Sequence, residues 1–137
     1  MHSVSVIGVV VDDDGRVLLQ RRCDNGAWEP PGGVLEMDER IADGLCREVR
    51  EETGLEVRAV RLTGVYKSMP AAVVELVFAC EVTGGRLTLS EESTAFHWAS
   101  PADLALFTTE AFEVRIRDAL PPGGTPFVRE HDGFRLV

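Results

Sequence analysis

The stretch Gly33 to Leu55, GVLEMDERIADGLCREVREETGL, constrains the chain more than any other. A glycine turn leads into a run dense in carboxylates, and a second glycine closes it. Asp38 is placed as a helix N-cap, with Glu39 in the first turn, where the helix dipole favours a negative charge. The pattern predicts a helix over 39–53, ended by Gly54 in the left-handed conformation. Ile41, Ala42, Leu45, Cys46, Val49 and Thr53 fall on one stripe at helical spacing. At roughly 100° per residue, Glu48, Glu51 and Glu52 gather on an adjoining arc about 100° wide. Like charges at that spacing destabilise a helix, and a helix needing only a soluble face would interleave basic residues on the same arc. A hard divalent cation resolves the crowding, because Mg²⁺ takes carboxylate oxygens and keeps waters and substrate phosphates as its other ligands. A solvated acidic face is the plainer reading. Against it, the acids cluster with Arg47 and Arg50, and a Pro-Gly-Gly turn feeds the helix directly.

Composition narrows the partners. At 137 residues, the expectation is a single domain spanning 1–137 with a substantial core. The net charge of −9 argues against nucleic-acid polymers and anionic membranes, which bind basic faces. An anionic substrate would then be held by a metal and a few local arginines. Three dispersed cysteines, Cys23, Cys46 and Cys80, form no CxxC, so neither a disulfide framework nor a zinc site is expected and a reducing cytoplasm is favoured. No apolar run reaches transmembrane length. The N-terminus lacks a basic region and runs straight into a strand-like pattern, unlike a signal peptide.

The remaining chain reads as mixed structure. Ser3 to Val11 and Arg16 to Arg22 read as strands joined by the acidic turn Asp12–Gly15, a hairpin. A polar loop, 23–27, leads to the rigid Trp28-Glu29-Pro30-Pro31-Gly32-Gly33 segment. After the acidic helix, strands are expected over 57–66 and 72–82. Gly84-Gly85 signals a hairpin with 86–89 as its short partner. A polar loop at 91–93 precedes a strand over 94–99, and Ser100-Pro101 starts a short helix with Ser100 as N-cap. A longer helix is expected over 109–120, with Phe112, Ile116 and Leu120 as its core stripe. The tail turns at Asp132-Gly133 and is read as a small hairpin. The order points to an α+β sandwich with a mixed sheet rather than an alternating doubly wound fold.

Gly33, five residues, Glu39, seven residues, then Arg47-Glu48-Val49-Arg50-Glu51-Glu52-Thr53-Gly54-Leu55 resembles the complete Nudix box, with every fixed position filled. The flanking strand order and the Phe96-His97-Trp98 strand extend the resemblance to the Nudix hydrolase family (MutT-like) over 3–120. The resemblance implies an α/β/α sandwich around a central mixed sheet. It also implies pyrophosphohydrolase activity on a nucleoside diphosphate derivative, a nucleoside triphosphate or an ADP-ribose-like compound, with Mg²⁺ or Mn²⁺ as cofactor and water attacking phosphorus. A diphosphate is anionic and kinetically inert, and metal ions neutralise it, align it and acidify a bound water. Carried over by position, Glu48, Glu51, Glu52 and the Gly32 carbonyl would be metal ligands, with Glu48 and Glu52 a turn apart. Arg47 would orient the glutamates by bidentate pairing, supported by Glu39. The general base is either Glu92, in the loop before the Phe96–Trp98 strand, or Glu48.

Other residues carry two readings each. Arg21 and Arg22 end a strand beside the loop; by resemblance one of them, Arg22 ahead of Arg21, contacts substrate phosphate, and otherwise both face solvent. Trp28 would stack on a nucleobase or, more commonly for its position, anchor the loop. His97 and Trp98 read as packed strand residues, and His2 and His131 as surface residues. Gly44 interrupts the helix at about 1 kcal/mol relative to alanine; it lies one turn before Glu48 and would leave room for metal or substrate. Cys46 and Cys80 read as small core residues. Three positions depart from the family pattern: Asp38 replaces a frequent glycine, Pro30 a larger apolar residue, and Gly44 a commoner alanine. Pro70, fifteen residues past Leu55, matches a proline of some ADP-ribose-cleaving members, or simply ends a strand. The apolar 71–80 stretch is either a buried strand or a homodimer interface. No GxxxxGK[ST], HExxH or GxSxG motif offers a rival chemistry. The alternative from another class is a catalytically silent nucleotide-binding regulatory domain of the same fold, although such relatives usually lose a box glutamate.

Overall fold

A computed structural model describes residues 1–137. Eight strands form two sheets. β1 (Ser3–Val10), β4 (Gly32–Val34), β5 (Leu55–Ser68), β6 (Val73–Gly85) and β8 (Phe127–His131) make a five-stranded sheet in the order β4-β1-β6-β5-β8. β2 (Val17–Arg22), β3 (Trp28–Glu29) and β7 (Ser93–Ala99) make a three-stranded antiparallel sheet in the order β3-β2-β7. In the larger sheet β1 and β6, and β5 and β8, run parallel; β1–β4 and β5–β6 are antiparallel. The helices are α1 (Ile41–Thr53), α2 (Leu104–Phe107), preceded by a 3₁₀ turn at Pro101–Asp103, and α3 (Glu110–Ala119). No helix is long and apolar enough to cross a membrane.

Strand alternation divides the apolar residues between two cores. Val6 and Val10 of β1 and Leu18 of β2 point to α1, where Leu45, Val49, Leu55 and Val57 complete one cluster. Val9, Val17 and Leu19 point the other way, to Tyr66, Val77, Leu104, Ile116 and Ala119. With α1 on one side and α2 and α3 on the other, the result is the expected α/β/α sandwich with a mixed sheet.

Several local expectations are corrected. β1 and β2 do not form a hairpin, because both edges of β1 are taken by β4 and β6. Only the Val11–Val17 bridge joins them, while Asp12 ties the turn through Arg16. Gly84 and Gly85 do not turn into a second strand. They extend β6 opposite Glu56 and Leu55, and 86–89 run without regular structure. The long hairpin is instead β5–β6, turning through 69–72. Ser100 precedes the 3₁₀ turn without a side-chain cap bond. In α3 only Ile116 of the expected stripe is fully buried. The buried face also holds Arg115 and Asp118. Asp118 accepts hydrogen bonds from Tyr66 (2.6 Å) and, in a two-point pair, from Arg129 of β8. His131 is buried rather than on the surface, since β8 joins the sheet beside β5 and turns its ring toward Arg115. The expected tail turn does form, with Asp132 Oδ1 accepting from the backbone of Phe134 and Arg135.

α1 also starts later than expected. Its N-cap is Arg40, with no side-chain cap bond; Asp38 lies in the preceding turn, and Glu39 lies outside the helix. Ile41 and Ala42 are exposed, so the buried stripe begins at Leu45. The C-terminus follows the expectation: Gly54 has φ 81° and its N–H donates to the Arg50 carbonyl. A Cβ on Gly54 would stand 2.4 Å from the Arg86 carbonyl oxygen. Left-handed backbone costs a side-chain-bearing residue roughly 1–2 kcal/mol before any clash. Gly54→Ala is therefore expected to lower unfolding free energy by about 2 kcal/mol or more in urea denaturation, and an unchanged midpoint would show that this helix end relaxes freely.

Candidate active site

Where α1 faces the mouth between the two sheets, a cavity of about 460 Å³ opens, lined by Gln20, Arg22, Cys23, Asp24, Glu29, Gly32, Gly33, Val34, Glu48, Glu52 and Glu92. Leu45 and Val49 are fully buried against β1 and carry the helix face toward the sheet. Glu52, three residues past Val49, is drawn inward with them and is only 4% exposed. Glu48 lies a turn earlier on the same side. Gly33 faces it closely enough that a Cβ there would stand 2.6 Å from the Glu48 carboxylate, so only glycine leaves that group its place.

Behind these two acids stands a brace. Arg47 Nε and Nη2 donate to the two oxygens of Glu39 at 2.8 and 2.7 Å, and Nη1 donates to Glu48 at 3.1 Å and to Glu51 at 3.2 Å. Glu39 also accepts the Glu36 N–H at 2.9 Å. This double use of Glu39 explains why the helix starts late: its carboxylate folds back along the helix instead of marking its first turn. It also explains Gly44. A Cβ there would meet Leu35 at 2.5 Å and Glu39 Oε1 at 2.8 Å, so the missing side chain makes room for the brace, not for metal or substrate.

The electrostatics follow from burial. Desolvation raises the proton affinity of Glu48, against the pull of Arg47. Desolvation also raises that of Glu52, against the hydrogen bond from Gln20; the nearby charges of Glu48, Glu92 and Glu29 add to the rise. Glu29 is likewise raised by burial, with Arg22 opposing. Glu39 moves the other way, to about 2, because Arg47 bonds its charged form. Desolvated carboxylates gathered around one polar cavity are a donor set suited to a hard cation. No three His, Cys, Asp or Glu side chains close into a ready cage, so the protein would supply part of a coordination sphere and leave the rest to water and phosphate oxygens.

The cavity thus unites Glu48, Glu52, Gly32, Glu92 and Arg22. Arg22 is held by Asp24 (2.6 Å) and Glu29 (3.1 Å). Three expected site residues lie elsewhere. Glu51 is exposed and pairs with Arg47 outside the cavity. Arg21 turns away and donates to the Gly26 carbonyl. Trp28 packs edge-on against Phe107 at 5.7 Å and against His97 at 6.3 Å, lining a separate aromatic hollow with Phe107, Phe112 and Phe134. His97 stacks on Phe107 at 4.7 Å. Pro70 sits in the exposed β5–β6 turn. Sequence reasoning passed over Gln20, Glu29 and Ser93. The signal for Gln20 was a lone polar residue closing the apolar run Val17-Leu18-Leu19, a position that is buried only with a partner. A second cavity, about 420 Å³, shares Arg22, Glu29 and 32–34 with the first and continues to Ser5, Asn25, Glu75, Phe112 and Arg115.

The chain is similar to known proteins in sequence and in fold. The family model described as the NUDIX domain matches residues 1–120. A MutT-like protein of Streptomyces ambofaciens is 51% identical over 137 residues, which is 100% of this chain and 88% of that protein. An ADP-ribose pyrophosphatase of Methanocaldococcus jannaschii is 31% identical over 100 residues, 68% of this chain and 59% of that protein. The crystal structure of an ADP-ribose pyrophosphatase from Streptococcus suis shares the fold at a TM-score of 0.78 and 22% identity, covering 93% of this chain and 99% of that one. With the domain matched from its first strand through α3, and a relative alike along the full length, the chain belongs to the NUDIX family and is a Nudix hydrolase.

Proposed function

We propose that this Nudix hydrolase cleaves the diphosphate linkage of a nucleoside diphosphate derivative, a nucleoside triphosphate or an ADP-ribose-like compound, by attack of water at phosphorus. The observation that carries the reading is the pair Glu48 and Glu52, one turn apart, desolvated and facing a polar cavity beside Arg22 and Glu92. Relatives named MutT-like protein, ADP-ribose pyrophosphatase and, in Escherichia fergusonii, nucleoside triphosphatase support the substrate class.

Glu48, Glu52 and the Gly32 carbonyl would hold Mg²⁺ or Mn²⁺. When bound, the cation neutralises the diphosphate and acidifies a coordinated water. Arg22 receives a phosphate oxygen, its guanidinium oriented beforehand by Asp24 and Glu29. Arg47, clamped by Glu39, keeps Glu48 turned to the cavity and spares it a free choice of rotamer. Glu92, near enough for its charge to weigh on Glu52, serves as the base that takes the proton of the attacking water, with Glu48 as the rival. Glu51 joins the cation only by releasing Arg47. The nucleoside portion occupies the adjoining second cavity, where Phe112 rather than Trp28 supplies the aromatic surface. The enzyme works in a reducing cytoplasm, where its three unpaired cysteines remain thiols.

A panel of nucleoside triphosphates and nucleoside diphosphate sugars, incubated with Mg²⁺ and with Mn²⁺ in ¹⁸O-labelled water, tests this directly. Cleavage with label on one phosphate product is expected, whereas binding that only raises the melting temperature would favour the silent nucleotide-binding alternative. Glu52→Gln is expected to cut turnover roughly a hundredfold or more while the fold survives; near-normal activity would remove Glu52 from the metal set. Glu39→Gln, which loosens Arg47 without touching the cavity, is expected to lower turnover roughly tenfold. The same Glu52→Gln variant has an opposite effect on stability. An acid that holds its proton more tightly when folded makes the native state the greater proton binder, so stability falls as pH rises above the unfolded carboxylate's value of 4.5. In EDTA, the variant should therefore melt higher than the wild type, and the gap should widen from about pH 5 to about pH 8. A narrowing gap would mean that Glu52 is not strained by its charge.

A further inference from the structure

Gln20 is 3% exposed on β2 and Ser93 is 1% exposed at the start of β7. The Ser93 hydroxyl donates to Gln20 Oε1 at 2.6 Å, and Gln20 Nε2 donates to Glu52 Oε2. The direction of this chain is forced. A carboxylate oxygen accepts, so the amide must present its NH₂ to Glu52, and its carbonyl is then left to receive the Ser93 hydroxyl. An amide flipped the other way would set its oxygen against a carboxylate oxygen of Glu52. The Glu52 contact therefore fixes the orientation of Gln20, the Ser93 hydroxyl follows it by donating to the amide oxygen, and Gln20 in turn holds one oxygen of Glu52.

The relay reaches further along the chain. Ser93 follows Glu92 directly, and the loop they share is built to hold its shape. The backbone N–H groups of Glu92 and Ser93 both donate to Ser90 Oγ at 3.2 Å, and the Glu92 carbonyl accepts the Cys23 N–H at 3.0 Å. Gln20 thus stands between two parts of the cavity wall that are distant in sequence: Glu52 on α1 and the Glu92 loop before β7.

We infer that Gln20 is a positioning residue, which, aligned by Ser93, fixes Glu52 for cation binding and couples the acidic helix to the loop that carries Glu92. The inference rests on the reading of Glu52 as a metal ligand given above. Its physical basis is preorganisation. A carboxylate with one oxygen already committed to a buried amide presents its other oxygen in one direction, and the ion need not select that rotamer on binding.

Mn²⁺ binding without substrate, followed by the electron paramagnetic resonance of the free ion, separates the possible outcomes. The variants are Gln20→Met, which keeps most of the volume, Ser93→Ala, which removes one hydroxyl, their double variant, and Glu52→Gln as reference. Melting temperatures and circular dichroism identify any variant that fails to fold, and Ser93→Ala, the smallest change, carries the test if Gln20→Met is lost. Gln20→Met is expected to weaken Mn²⁺ by about tenfold and Ser93→Ala by a few-fold. The double variant should lose no more than Gln20→Met alone, because both changes cut the same relay. Turnover should fall with KM little changed. If the wild type binds Mn²⁺, Glu52→Gln abolishes binding and both Gln20→Met and Ser93→Ala bind as the wild type does, the inference is overturned while the metal reading stands. Additive losses in the double variant would overturn the relay through Ser93. A wild type that does not bind Mn²⁺, or a Glu52→Gln variant that binds it equally well, would overturn both the inference and the reading beneath it.

Discussion

Two carboxylates, Glu48 and Glu52, are held out of bulk water on a helix that has no freedom to turn them back. The constraint comes from packing. Full burial of Leu45 and Val49 is worth roughly 1.5–3 kcal/mol each, and both lie on the helix face that meets the sheet. The apolar anchors therefore decide the rotation of α1, and the acids go where that rotation carries them. Much of the surrounding structure answers the resulting strain. Arg47 supplies a counter-charge from behind, Glu39 holds Arg47, and Gly33 and Gly44 clear the space these groups need. The core thus fixes where the acids stand, and the polar groups around them fix how they point.

A second buried polar system lies across the sheet. Arg115, 1% exposed, donates to Glu75 and to the Ala111 carbonyl, lies 3.2 Å from His131 Nε2, and packs over the Phe112 ring at 4.5 Å. Burial lowers its proton affinity to about 10. Tyr66, Asp118 and Arg129 continue the network to β8. No buried side-chain nitrogen or oxygen is left without a partner, so the desolvation of these charges is offset by specific bonds, not by water. This network fastens α3 to β5, β6 and β8 of the five-stranded sheet, and the Glu75–Arg115 end of it forms one wall of the second cavity. Packing and substrate space are therefore not independent on that side of the molecule.

The helix end at Gly54 and the acid pair were legible in the spacing of one short segment, the sandwich class in the order of elements along the chain, and the arginine–glutamate brace in the resemblance to the Nudix box. What was misread depends on tertiary neighbours. Asp38 has the chemistry of an N-cap, but Glu39 is claimed by Arg47, and that contact spans eight residues. β1 and β2 look like a hairpin because propensity cannot reveal that both edges of β1 are occupied by distant strands. His131 reads as a surface residue by type; only the addition of β8 beside β5 buries it. Trp28 offered an attractive surface for a nucleobase, yet Phe107 and His97, some seventy to eighty residues on, take it up. Gln20 was passed over because its meaning lies in two partners, at positions 52 and 93, that no local pattern joins.

The pairing of β1 with β6 has a kinetic consequence. Ser3 lies opposite Val73 and Val10 opposite Cys80, so every rung of this parallel ladder closes a loop of seventy residues. β4 and α1 lie inside that loop, and α1 packs both on β5, which follows it directly, and on β1, whose parallel partner is still to come. Local contacts in the β5–β6 hairpin can form early, but the wall that presents Glu48 and Glu52 must wait for a ladder of high contact order. During synthesis β1 emerges before the acidic helix that packs on it, and β5 and β6 emerge after it. Until β6 arrives, β1 lacks its parallel neighbour, and the sheet behind the acid pair stays open along that edge.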